Sequence, residues 1–318
     1  MSSLRAVAMF GLASLLSSLL FACRSPGEGG SEPSPAKSAA VDVTLKGVDT
    51  SALTAREKSE WSRLVSELLA PCAEHPVSLA QCVNESRPCN ACQPAAKMLA
   101  EQVRRGAARS QIETVYKARF SPEAVKAIDL SGSPRKGAES AKVVLAEFAD
   151  FQCPACGSVR PLLDEILKKY PGDVALVFKH FPLAMHPNAE KAARAAVAAH
   201  RQNKFWEMHA QLFENQEKLD AATIDQIAKS IGLDWARFQQ DRDSEATADA
   251  VARDRKQGEA LRIASTPSIF INGRLLAASS DFAEDLEQWV LLEVELVTGK
   301  PAAKPEAVNV APTPSASP

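Results

Sequence analysis

Two cysteines in a CxxC spacing, Cys153-Pro154-Ala155-Cys156, sit at the junction of an apolar run and a periodic helix, and this junction constrains the fold most. Before it, Ala141-Lys142-Val143-Val144-Leu145-Ala146-Glu147-Phe148 reads as a buried strand. After it, Val159, Leu162, Leu163, Ile166 and Leu167 repeat at i, i+3, i+4, i+7 and i+8, which predicts an amphipathic helix. Two cysteines three apart in a first helical turn can close a disulfide with little backbone movement. Pro154 suits the first helical position, where its missing N–H costs nothing. Cys153 then lies at the positive end of the helix dipole, which favours a thiolate. A bare CxxC is equally compatible with half a zinc site or a structural disulfide.

Further stretches narrow the choice. Pro161 lies five residues past Cys156, inside the helix, where a proline needs a reason. Val174-Ala175-Leu176-Val177-Phe178-Lys179-His180-Phe181-Pro182-Leu183 reads as a second strand, followed by His186-Pro187-Asn188-Ala189 and, later, Phe205-Trp206-Glu207-Met208-His209. Ser265-Thr266-Pro267-Ser268-Ile269-Phe270-Ile271-Asn272-Gly273 follows near the end. In this order, over roughly residues 140–297, the chain resembles the thioredoxin superfamily, and within it the DsbA-like thiol–disulfide oxidoreductases.

The resemblance implies a thioredoxin-like α/β fold with a mostly helical insertion between Pro187 and Arg262. It implies that Cys153 is an exposed nucleophile and Cys156 a buried resolving thiol, joined as a disulfide when oxidised. It implies that Glu147 is a buried carboxylate exchanging protons with Cys156, although a charged strand end is the plainer reading. Thr266-Pro267 becomes a cis bond whose backbone, with Pro154 and Ala155 beside it, binds an extended client segment. Arg262 and Ser265 replace the small glycines common in the family before that proline. The Pro-Ala dipeptide lacks the histidine of strongly oxidising members, so a less oxidising couple is expected. His180, His186 and His209 are expected to be packed or solvated rather than catalytic.

The front of the chain reads as an export signal. Arg5 precedes the nearly unbroken apolar or small stretch Ala6 to Phe21, which ends Leu20-Phe21-Ala22-Cys23. Those four residues resemble a bacterial lipobox, which implies lipidation of Cys23 after removal of residues 1–22. An ordinary signal peptide or a membrane anchor is the alternative, though the stretch is short for a spanning helix. Arg24 in place of aspartate leans toward the outer membrane. Residues 23–49 are expected to be a flexible tether and 299–318 a disordered Pro/Ala-rich tail.

Residues 50–130 read as a small helical domain. Thr54-Ala55-Arg56-Glu57 and Ser110-Gln111-Ile112-Glu113 are capping boxes, and Trp61, Leu64, Val65, Leu68 and Leu69 form one apolar face. Between them lie Cys72, Cys82, Cys89 and Cys92. Setting Cys23 aside leaves six cysteines, and in an exported protein an even number favours pairing. Spacing does not decide the pairing. The local choice is 72–82 with 89–92, a four-cysteine zinc site is an alternative, and Cys89–Cys92 followed by Pro94 could be a second redox pair. Cys89 to Phe120 faintly resembles the CcmH-type thiol-reductase domain of cytochrome c maturation.

A net charge of −2 with no basic stripe argues against nucleic acid as a partner. The expected function is thiol–disulfide exchange on exported proteins with cysteines, in the periplasm, with a membrane redox partner and contact with the membrane through the lipid alone. Neither an organic cofactor nor a metal is called for, because two sulfurs carry the electrons. Two other classes stay open: a reductase or electron relay using Cys89 and Cys92, and a non-enzymatic, client-binding lipoprotein.

Overall fold

Thr54 starts the first helix as its sequence requires. Its hydroxyl accepts from Glu57 N (3.3 Å) and Glu57 Oε2 accepts from Thr54 N (2.7 Å), the reciprocal capping box of α1 (Ala55–Glu67). α2 (Leu79–Asn84), α3 (Cys92–Arg104) and α4 (Arg109–Phe120) follow. The computed structural model describes residues 42–72, 74–277 and 281–298. Cys23 and the tail 299–318 lie outside the described residues.

Four expectations for this region need correction. The second capping box is displaced: α4 starts at Arg109, and Gln111 Oε1 accepts from Ala108 N at 3.0 Å. The apolar face of α1 ends early, because the chain leaves the helix at Leu68 and forms a bridge between Leu69 and Ser78. Leu69 is therefore 63% exposed. Residues 42–49, placed in the tether, are packed: Leu45 is buried, Val43 N donates to Ser62 Oγ (3.0 Å) and Gln93 Nε2 donates to Lys46 O (2.8 Å). The cysteines pair as Cys72–Cys89 and Cys82–Cys92, interlaced rather than local. That pairing ties α2 to the start of α3, and the loop before α2 to the loop between the two helices. A zinc ion needs thiolates, and in this paired form none of the four sulfurs offers one.

The sheet is built around the apolar run. β2 (Val143–Ala149) is buried almost throughout and lies parallel to β3 (Val174–His180) and antiparallel to β4 (Ser268–Ile271). β1 (Arg135–Gly137) and β5 (Arg274–Leu275) close the edges in the order β1-β3-β2-β4-β5. The crossover from β2 to β3 is α5 (Pro154–Lys169), with Pro161 inside it. Its Val159, Leu163, Ile166 and Leu167 are buried, the stripe that the spacing predicts.

Between β3 and β4 the chain inserts α6 (Ala189–His200), α7 (Phe205–Glu214), α8 (Ala221–Ser230), α9 (Trp235–Asp243) and α10 (Glu245–Ala260). The insertion packs through an aromatic cluster: Phe151 stacks on Phe178 (5.2 Å), and Phe205, His209 and Phe213 surround them. Gly258 lets α10 close on the separate cluster of Phe148, Phe181 and Phe270; a Cβ there would lie 2.5 Å from the Phe181 ring. The buried Lys179 Nζ pairs with Asp254 of α10 at 2.6 Å, and Asp254 Oδ2 accepts from His180 N at 3.1 Å.

α11 (Phe282–Thr298) buries Leu286, Trp289, Val290 and Val294, which recur at i, i+3, i+4 and i+8 and so share one helical face. It serves two neighbours at once, because it packs on β2 and β4 and also meets α3. Arg119 of α4, buried, pairs with Glu293 of α11 and lies 5.3 Å from the Trp289 ring centroid. Glu293 also accepts from Asn272 Nδ2 (3.1 Å), and Asn272 Oδ1 accepts from Val144 N (2.8 Å). One hydrophobic core thus runs from Trp61 and Leu99 through Trp289 to Leu145 and Ile271.

Candidate active site

β2 ends at Ala149 and the chain turns through Asp150-Phe151-Gln152 into α5, so the CxxC lies at the C-terminal end of the central strand, where strand and helix meet. Cys153 is the N-cap of α5 with extended backbone (φ −76°, ψ 117°), and Pro154 occupies the first turn. Cys153 O accepts from Cys156 N (3.1 Å) and Gly157 N (3.3 Å). No side chain caps the helix, and Cys153 stands at the positive end of its dipole. Both cysteines are free thiols in the structure.

Cys153, expected to be exposed, keeps only 8% of its surface. Its sulfur is turned back on the opposite loop, with Sγ 3.3 Å from Thr266 O. Thr266–Pro267 is a cis peptide. Pro154, Ala155 and Ser265 around it are exposed, Pro267 is half-buried and Thr266 is buried. Arg262 is exposed at φ +59°, a left-handed conformation costly for a side chain other than glycine.

Cys156 is fully buried. Burial pushes its thiol well above the ordinary range, while the Asp150 backbone N–H and the Thr266 hydroxyl pull the other way. The charge of Glu147 raises it further, which places this carboxylate in electrostatic reach of the inner cysteine. Glu147 lies mid-strand in β2, opposite Phe178 and Ile269, 2% exposed. Burial, with a smaller push from Asp164, lifts its carboxyl from 4.5 to about 8. The structure therefore brings Cys153, Cys156, Glu147 and Thr266-Pro267 together, while Cys72, Cys82, Cys89 and Cys92 belong to the helical region.

Three further polar side chains hold the turn that carries the CxxC. Gln216, between α7 and α8, donates Nε2 to Phe151 O (2.8 Å) and Cys153 O (2.7 Å). Gly157 makes room for it, since a Cβ there would lie 2.8 Å from Gln216 Oε1. Asp150 accepts from Gln152 N (2.7 Å), Leu183 N (2.8 Å) and His186 Nδ1 (2.7 Å), fixing the turn that carries the CxxC. A lone glutamine 63 residues downstream of Cys153 has no local signature. The bond from Asn188 N to Gln152 Oε1 (2.6 Å) spans 36 residues and is likewise unmarked in the sequence.

Of the three histidines, His186 is half-buried with its Nδ1 bonded to Asp150, and the other two are packed. His180 and His209 are buried in the aromatic cluster and burial lowers them to about 4 and about 3, so both are neutral at pH 7. Among the described residues no helix is long and apolar enough to cross a membrane.

A Na(+)/H(+) antiporter, NhaA 3 of Salinispora tropica, is 38% identical over 140 residues, which is 44% of this chain and 21% of the antiporter. The chain thus spans about a fifth of that curated relative. Among solved structures, the catalytic domain of Proteus mirabilis ScsC is 26% identical over 58% of this chain and 98% of its own, with a TM-score of 0.45. Oxidised BdbD from Bacillus subtilis is 24% identical over 54% of this chain and 97% of its own, with a TM-score of 0.48. The family model described as Thioredoxin matches residues 129–290, just over half of the chain and the whole of the site. With the sheet order, the α5 CxxC and the cis Thr266–Pro267 in place, the chain belongs to that thioredoxin family.

Proposed function

We propose that this protein is a thiol–disulfide oxidoreductase acting on cysteine-containing proteins outside the cytoplasm. The observation that carries the reading is one arrangement: a sulfur at a helix N-terminus, held against the carbonyl before a cis-proline, with a second thiol buried behind it. The Cys153 thiolate attacks a client disulfide, forming a mixed disulfide and expelling one client thiolate, which takes up a proton. Cys156 gives its proton to the Glu147 carboxylate and attacks Cys153 Sγ, releasing the second client sulfur and leaving the Cys153–Cys156 disulfide. The reverse sequence inserts a disulfide into a client. A carboxyl near 8 matches a raised thiol far better than an ordinary one, so the proton moves with less penalty.

The exposed Pro154, Ala155 and Ser265 and the half-buried Pro267 form the client platform, where the backbone beside Pro267 pairs with an extended segment. Leu20-Phe21-Ala22-Cys23 supports a lipid-anchored location in a bacterial envelope, facing the periplasm, with a membrane redox protein as partner. Loss of radiolabelled palmitate incorporation in Cys23→Ser tests the anchor.

The activity is tested by insulin reduction and by equilibrium with glutathione, each with wild type, Cys153→Ser and Cys156→Ser. Turnover is expected in wild type, none in Cys153→Ser, and trapped mixed disulfide in Cys156→Ser. Equal rates in all three proteins would refute the reading.

A further inference from the structure

The second cysteine cluster carries an inference independent of the active site. Cys82, Cys89 and Cys92 bring their sulfurs within 4.8 Å of one another, although Cys82 is bonded to Cys92 and Cys89 to Cys72. Two disulfides thus lie within one side-chain rotation of exchange. The backbone also favours a different bond. Cys92 N donates to Cys89 O at 3.3 Å, the same i to i+3 turn by which Cys156 N meets Cys153 O at 3.1 Å. In each case the second cysteine lies in the first turn of a helix. Cys89 and Cys92 therefore have the local geometry of a closable CxxC, held open by their partners.

Access is uneven. Cys72 is half-buried, whereas Cys82, Cys89 and Cys92 are buried. A cavity of about 390 Å³ lies against those last three, with Lys46, Arg87 and Glu295 at its walls. Arg87 is paired with Glu85 and Glu295 with Lys97.

We propose that the helical region is a second thiol–disulfide exchange centre that takes up an electron pair by rearranging its two disulfides. One thiolate of a protein dithiol attacks Cys72 Sγ, forming a mixed disulfide and expelling Cys89 as a thiolate. Cys89 attacks Cys92 Sγ, the Cys89–Cys92 bond forms, and Cys82 leaves as a thiolate and takes up a proton. The second thiol of the donor attacks its own mixed-disulfide sulfur, leaving as an oxidised disulfide and freeing Cys72. Two electrons and two protons pass from the donor to Cys72 and Cys82, and one disulfide remains, now Cys89–Cys92. One of the two thiols that finally hold the electrons, Cys82, is thus not a member of the disulfide first attacked.

The test uses the full chain carrying Cys153→Ser and Cys156→Ser, so that the α5 pair takes no part and the proposed oxidoreductase activity is not at stake. The protein receives one equivalent of dithiothreitol, is quenched in acid, alkylated and cut after glutamate at acidic pH. Glu74, Glu85 and Glu101 place Cys72, Cys82 and the Cys89/Cys92 pair on three fragments. The expected result is alkylated Cys72 and Cys82, with the third fragment unalkylated and two hydrogens lighter. Alkylation of Cys72 and Cys89 with Cys82–Cys92 intact would overturn the proposal. So would a Cys82–Cys89 link, or opening of both disulfides with no half-reduced species. Cys72→Ser supplies a second route without any reductant: Cys82 is then expected to become the alkylated cysteine, and alkylation of Cys89 alone overturns the rearrangement.

Discussion

Glu147 shows how one buried proton links the fold to the proposed chemistry. The folded protein keeps a proton that the unfolded chain gives up above 4.5, because burial lifts the carboxyl to about 8. Stability therefore falls as pH rises from 4.5 through 8, by on the order of 5 kcal/mol once both states are ionised. Glu147→Gln removes that dependence, so its melting temperature is expected to overtake wild type in alkaline buffer while the two converge near pH 4. The same variant is expected to slow disulfide exchange roughly 10²-fold through loss of the proton acceptor for Cys156. Thermal melts across pH and insulin turnover measure the two effects separately. Alkylation gives a further check at this scale: iodoacetamide at neutral pH is expected to modify Cys153 and leave Cys156 untouched, since burial holds Cys156 as a thiol.

Individual elements act through close approaches. Gly258 lies inside α10, where alanine is the better helix former by about 1 kcal/mol. A Cβ there meets the Phe181 ring at 2.5 Å, and overpacking costs about 1–3 kcal/mol, so Gly258→Ala is expected to lower stability despite its propensity. Denaturant titration gives the sign directly. Gln216→Ala removes two hydrogen bonds to the CxxC turn, about 1 kcal/mol each, and is expected to lower stability by about 2 kcal/mol and shift the active-site reduction potential. These elements also mark how far the sequence could be read. Pro154 after Cys153, the α5 stripe, Thr54 with Glu57 and the Leu286-Trp289-Val290-Val294 face all encode their roles within one or two helical turns. Thr266-Pro267 needed the family resemblance as well. Gln216 over Gly157, Asn272 between Glu293 and Val144, and Cys72 with Cys89 are juxtapositions that only the folded chain creates. Leu69 looked like core because its spacing fits a helix, yet the backbone leaves α1 before reaching it.

For the whole molecule, the shared core decides how the chain unfolds. The Arg119–Glu293 pair and the Arg105–Asp285 pair (2.6 Å) join the helical region to α11, and α11 packs on the sheet. A single cooperative calorimetric transition is expected for residues 42–298 rather than one for each part. Glu293→Gln leaves the Arg119 guanidinium buried without its counter-charge and is expected to cost about 3–5 kcal/mol; replacing both by apolar residues is expected to recover most of that loss.

The position of α11 at the far end of the chain has a temporal consequence. A polypeptide appears N-terminus first, and 180 residues separate Arg105 from its partner Asp285. At about 5–20 residues per second, that is on the order of 10–40 s during which the helical region lacks the surface it packs on. The two cystines span only 17 and 10 residues, so they can close within the newborn segment itself. Once that segment meets an oxidising compartment, cystine closure supplies an interim clasp, holding α2 against the start of α3 until the last helix arrives to seal them.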